Sequence, residues 1–233
     1  MNYFAHAFEF LDRSASPMFL AGLAVPDWLN VVDRKIKARS KSARSLLNSG
    51  ELSDDESHLA QGVIQHHADD DWFHQGQAFN EMCLEFTVEL RDLLQPDPGF
   101  RPSFLGHILV ELLLDDFLIH ENPGVIDKYY AVMESVDEWA VEQGVSRIAG
   151  KPAVNLNWFI GRFRVIRFLL DYRDNEKLLG RLNQIMQRVK LLPLPHTLFG
   201  FFDSARDRVS NRADELYFSP LATIRQNEKD SRA

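Results

Sequence analysis

Residues 65–74, QHHADDDWFH, place three histidines and three aspartates within ten positions. Among them His66, Asp70 and His74 stand at i, i+4 and i+8. Four residues of an α-helix turn through about 400°, so each step drifts by only about 40° and the three side chains share one stripe. A second stripe of the same spacing, His107, Glu111 and Asp115, lies in FLGHILVELLLDDFLI. Imidazole and carboxylate together form a donor set for Zn²⁺, Mn²⁺, Fe²⁺ or Mg²⁺, with imidazole favouring the transition metals. Two matched stripes point to metal chemistry. The alternative for the first is a solvated acidic face, with His67, Asp69 and Asp71 turned to water. His67 also shares a face with Asp70, Asp71 and His74.

The second stripe raises an electrostatic problem. Leu105, Ile108, Leu109, Val110, Leu112, Leu113, Leu114, Phe117 and Leu118 leave its helix apolar on most sides, which predicts burial. An unpaired buried ion costs several kcal/mol even after relaxation. A metal cation, an arginine or protonation must compensate, and the arginines of GRFRVIRF (161–168) stand as the alternative to a metal. Two isolated residues are further candidates. His6 interrupts the apolar YFAHAF, where a core histidine is the simpler reading, and Asp27 in VPDWL would also suit a helix N-terminus.

The elements that must position these groups read as helices throughout. Periodicity predicts helices from Asn2 toward Leu11, over SPMFLAGLAVPDWLNVV with a break or fresh start at Pro26, and around Ser45 within the polar stretch 33–57. A helix opening at Ser53–Asp55 carries the first stripe; one over about 103–120 carries the second. Others are predicted at about 125–143, 155–171, 174–191 and 196–217. QPDPGFRP (95–102), SRIAGKPAVN and LPLPH read as connectors, and 223–233 as a flexible tail. The expectation is an all-α chain with one domain over 1–222.

Composition narrows the classes. At 233 residues and 45% hydrophobic content the chain can bury a sizeable core. A single cysteine, Cys83, rules out an internal disulfide and a Cys-rich zinc site. With no uncharged apolar run long enough to span a bilayer and no basic n-region in MNYFAHAFEF, no membrane span is expected and a cytoplasmic location is. A net charge of -8 argues against nucleic acid as the main partner. The charge is uneven: DRKIKARSKSAR (33–44) and the region from Arg162 to Lys190 are basic, as solvated faces or as docking sites for an anionic substrate or acidic protein. There is no Walker-type glycine loop and no Gly-x-Ser-x-Gly elbow.

Taken in order, several short motifs resemble the acyl carrier protein phosphodiesterases, a divergent branch of the HD-type metal-dependent phosphohydrolases. MNYFAHAFEF supplies Asn2 and His6; GLAVPDWL supplies Gly22 and Asp27; GVIQHHADDD supplies Gly62, His66 and Asp70; VELLLDDFL supplies Glu111 and Asp115. NLN and FLLDYRDNEKLLGRLNQI are similar to the family's C-terminal helices. The stretch between Asp27 and His66 is longer than in the family, and His67, His74, Asp116 and His107 depart from its pattern. The resemblance implies an HD-like helical bundle, a divalent metal (Mn²⁺ first, with Zn²⁺, Fe²⁺ or Mg²⁺ as alternatives) and release of 4'-phosphopantetheine from acyl carrier protein. The expected site comprises His6, Asp27, His66, Asp70, Glu111 and Asp115, with His74 and His107 as further ligand candidates. Asp70 or Glu111 would act as general base, and Arg164, Arg167 and Arg173 or the 34–44 run would hold phosphate. The alternatives are a hydrolase of small phosphoesters or nucleotides, and a non-catalytic helical binding protein.

Overall fold

A computed structural model describes residues 1–13, 15–94 and 99–230, the last six by backbone alone. Every regular element among them is helical: α1 (Tyr3–Phe8), α2 (Pro17–Val32), α3 (Ser40–Ser49), α4 (Asp54–Gln75), α5 (Gln77–Leu94), α6 (Pro102–Glu121), α7 (Val125–Ser135), α8 (Glu138–Ala149), α9 (Leu156–Ile166), α10 (Asn175–Arg188), α11 (Phe199–Asn211) and α12 (Ser219–Asp230). The all-α expectation holds. Among the described residues no helix is long and apolar enough to cross a membrane.

The boundaries differ from expectation where local chemistry intervenes. The helix expected over 125–143 is two, because Val136 is extended and the Asp137 carboxylate accepts from the Trp139 and Ala140 amides, restarting the chain as α8. The one expected over 155–171 stops at Ile166, where Arg167 takes a left-handed conformation (φ 48°), and a 3₁₀ turn follows over Phe168–Arg173. Pro26 does not break α2. An interior proline costs about 3 kcal/mol; Trp28 and Leu29, both fully buried just beyond it, together return more, at roughly 1.5–3 kcal/mol each. Of the expected connector 95–102, residues 95–98 lie outside the described residues; of the expected tail, 223–230 belong to α12 and 231–233 lie outside them.

The chain packs as two units, Met1–Asp71 with Glu121–Phe168, and Trp72–His120 with Leu169–Ala233. In the first, α1, α2, α7 and α9 surround an aromatic core in which Phe163 meets Tyr3 at 5.4 Å, Trp28 at 5.5 Å and Tyr130 at 5.7 Å between ring centroids. Against it α2 crosses α4 at a glycine pair. A Cβ on Gly22 would collide with the Leu59 carbonyl oxygen and lie 2.9 Å from Gly62 Cα; one on Gly62 would collide with the Phe19 carbonyl. Only glycine at both positions allows this approach. In the second unit α5, α6, α10 and α11 bury Phe79, Phe86, Leu109, Leu113, Leu182 and Phe202.

Candidate metal centre

The glycine crossing sets the first group of polar side chains. One residue beyond Gly22, the Leu23 carbonyl oxygen comes to 2.7 Å from Nδ1 of His66, one turn beyond Gly62 on α4. A carbonyl oxygen only accepts, so His66 Nδ1 carries the ring proton and, in the neutral ring, Nε2 presents a bare lone pair. That nitrogen stands 3.3 Å from Asp70 Oδ2, on the next turn of α4. From α1, His6 stacks on His66, with ring centroids 4.0 Å apart and planes 26° apart. Its Nδ1 donates to Asp69 Oδ2 at 3.2 Å, and its Nε2 lies 3.4 Å from Asp70 Oδ1. Gln65 holds the other Asp69 oxygen at 2.8 Å. His6, His66 and Asp69 are buried; Asp70 is half-buried.

Both imidazoles are thus oriented through Nδ1, one by a carboxylate and one by a backbone carbonyl, and both aim Nε2 at the same carboxylate. This is the usual outer-shell arrangement of metal-bound histidine. The donor atoms of His6, His66 and Asp70 lie within 4.8 Å of one another. A tetrahedral ion with bonds of about 2.0–2.1 Å separates its ligand atoms by about 3.3–3.4 Å; the His6 and His66 contacts are of that length, one to each oxygen of Asp70. The α-amino group of Met1 also reaches Asp70 Oδ1, at 2.7 Å.

The electrostatics are uneven. Burial, with the positive charge on His6 adding, pushes His66 down to about 4, so it is neutral at pH 7. His6 is raised to about 9: burial opposes its charge, but hydrogen bonds to Asp69 and Asp70 outweigh burial. Against the pull of its own burial, Asp70 is held well below the usual carboxylate range by His6, His66 and the Met1 ammonium. A carboxylate so stabilised suits a ligand and makes a weak base.

A second group lies in the other unit. Glu111 Oε1 meets His74 Nε2 at 2.9 Å and His107 Nε2 at 3.3 Å. Burial would raise the Glu111 carboxyl, but the two imidazoles help to hold it below its usual range. Asp115, fully buried on α6, belongs to neither ligand group, and nor does Asp27, half-buried on α2 one turn past Leu23. The counter-charge for the neighbouring Asp116 is guanidinium, with Arg173 at 3.3 Å and Arg206 at 3.4 Å, rather than the arginines of 161–168. Those are engaged elsewhere: Arg164 pairs with Glu138 at 2.9 Å, and Arg167 pairs with Asp127 and lies over the Tyr130 ring.

Asp69 entered the sequence reading only in the alternative of a solvated face; it orients His6 instead. The Gln65–Asp69 spacing of four was the available signal. His67 points away from the ligand group and bonds the Ala38 carbonyl oxygen at 2.8 Å, seating the basic stretch on α4. There Ile36 and Ala38 are buried while Lys35, Lys37 and Arg39 are exposed. Burial pushes the Cys83 thiol up to about 12, so it is no nucleophile at neutral pH.

Comparison with protein-family models, with curated proteins and with solved structures finds no match to this chain.

Proposed function

We propose that the chain is a metal-dependent phosphoric ester hydrolase whose divalent ion is held by His6, His66 and Asp70. One observation carries the reading: the neutral Nε2 of His66, stripped of its proton by the bond from Nδ1 to Leu23, faces a carboxylate 3.3 Å away. Lone pair against anion in a buried setting is unfavourable unless a cation sits between them. Two histidines and one carboxylate leave coordination positions open, as hydrolytic sites require. When bound, such an ion polarises a phosphoryl oxygen and lowers the pKa of coordinated water toward neutrality.

The chain supplies the rest. Asp69 and Leu23 fix the tautomers of the two ligand histidines, and Gln65 fixes Asp69. Exposed Lys35, Lys37 and Arg39, seated through His67 next to the ligand His66, supply cations for the charge of a phosphoester. Donor set and basic segment together support a phosphoester over a neutral substrate. The resemblance in the motifs proposes acyl carrier protein as the bearer of that ester; small phosphoesters or nucleotides are the other candidates. A second reading is favoured by the Met1 ammonium, which already gives Asp70 a cation at 2.7 Å: a helical binding protein whose polar cluster needs no ion.

The test is hydrolysis of bis-p-nitrophenyl phosphate by chelator-treated protein with and without Mn²⁺, beside His66→Ala. Mn²⁺-dependent turnover that His66→Ala abolishes supports the hydrolase. No turnover with any divalent ion, and no ion retained, supports the binding protein. Incubation with holo acyl carrier protein, read by mass, decides that substrate.

A further inference from the structure

His74, His107 and Glu111 form a second ligand-bearing cluster, using none of the residues of the proposed hydrolytic centre. Three elements hold it, all through residues of the second unit. His107 and Glu111 are one turn apart on α6. His74 sits in the last turn of α4, where Asn80 Nδ2 donates to the carbonyl oxygens of both His74 and Gly76 at 2.9 Å and so fixes the helix end. From α5 the buried ring of Phe79 packs against both imidazoles, at 5.1 Å from His74 and 5.0 Å from His107. The two imidazole rings lie 4.9 Å apart.

Both Nε2 atoms converge on one oxygen, Glu111 Oε1, and the donor atoms all lie within 4.8 Å of one another. The 3.3 Å contact exceeds the usual range of about 2.7–3.2 Å for an N–H···O bond. Contacts of 2.9 and 3.3 Å do bracket ligand edges, since bonds of about 2.0–2.2 Å give edges near 3.0 Å at 90° and 3.4 Å at the tetrahedral angle. His74 and His107 keep a third or more of their side-chain surface, so an ion has a way in and a position stays open for water. Two imidazoles and one carboxylate select a borderline transition metal over Mg²⁺ or Ca²⁺.

We propose that His74, His107 and Glu111 bind a second divalent transition-metal ion, Zn²⁺ being the best fit, independently of the ion at His6, His66 and Asp70. The ion bridges His74, in the last turn of α4, to α6 within the second unit.

The experiment is Zn²⁺ titration of the chelator-treated full chain by calorimetry, with bound metal counted after desalting, for the wild type, Glu111→Gln, His107→Ala and His66→Ala. Glu111→Gln keeps the side chain's shape, and circular dichroism checks that each variant is folded. Two ions are expected in the wild type and one in each variant, with affinity at the altered site falling about 100-fold or more. One ion in the wild type, lost in Glu111→Gln and kept in His66→Ala, supports this site and removes the ion from the hydrolytic reading. One ion lost in His66→Ala and kept in folded Glu111→Gln and His107→Ala overturns this site alone. Two ions retained with unchanged affinity in both Glu111→Gln and His107→Ala also overturns it, and no ion in the wild type overturns both sites.

Discussion

Metal binding at His6, His66 and Asp70 should be strongly coupled to pH, and His6 sets the size of the effect. In the ion-free protein His6 titrates at about 9, held protonated between Asp69 and Asp70. An ion that takes Nε2 must expel that proton, while His66, titrating at about 4, has none to give at neutral pH. Apparent affinity should therefore rise about tenfold per pH unit below pH 9 and then level off. Between pH 7 and 9 that is about 100-fold, or roughly 2.7 kcal/mol at 1.36 kcal/mol per unit. Close to one proton should leave per ion at pH 7. Calorimetry in buffers of different ionisation enthalpy counts the protons, and chelator competition at pH 6, 7, 8 and 9 gives the slope. An affinity that is flat over this range, with no proton released, would refute the assignment of His6 Nε2 as a ligand.

Further outcomes follow from the same geometry. Asp69→Asn should leave the fold intact and weaken metal binding about 10- to 100-fold, since it replaces the charged acceptor that orients His6 with a neutral amide; equilibrium dialysis checks this. Gly22→Ala should destabilise by about 3 kcal/mol or more, as the new methyl meets backbone on α4, and should lower metal affinity through the displaced Leu23 carbonyl; thermal melts and dialysis read the two effects. His67→Ala should speed tryptic cleavage at Lys37 and Arg39 without changing bound metal, because the Ala38 tether is lost while the ligands stay. In the ion-free protein His6 and His66 should oppose each other in stability. The neutral His66 loses stability as pH falls from about 6.5 toward 4, whereas the raised His6 loses it as pH rises from about 6.5 toward 9. Urea midpoints should therefore peak near pH 6.5 without metal, and the peak should move to higher pH with metal bound.

Local pattern carried the helices and the residue types of the two polar groups, but not their partners. The spacing of His66, Asp70 and His74 does mark one stripe of α4, yet that stripe is shared out: His66 and Asp70 join His6, while His74 joins His107 and Glu111. Which helix meets which turn is set by long-range packing, above all the Gly22–Gly62 crossing, and periodicity contains no record of it. Two glycines inside helices, each costing about 1 kcal/mol against alanine, were the visible sign that a close approach was needed there. The need for counter-charge on α6 was argued for Glu111 and Asp115, and the guanidinium pairs fall instead on Asp116, outside that stripe. Glu111 finds imidazole, and Asp116 finds Arg173 and Arg206, which are distant in sequence and invisible to spacing rules. The split at Asp137 was legible in the Asp-Glu-Trp-Ala start of α8 and was masked by apolar residues that continue in phase across it.

The most direct test is a crystal structure of the protein grown with Mn²⁺ or Zn²⁺, with anomalous data collected at the metal edge. A peak is expected about 2.0–2.2 Å from Nε2 of His6, Nε2 of His66 and a carboxylate oxygen of Asp70, with His66 Nδ1 still bonded to Leu23 and the Met1 ammonium displaced from Asp70. A map with no peak there, and the Met1 ammonium still seated on Asp70 at a saturating metal concentration, would contradict this ligand set.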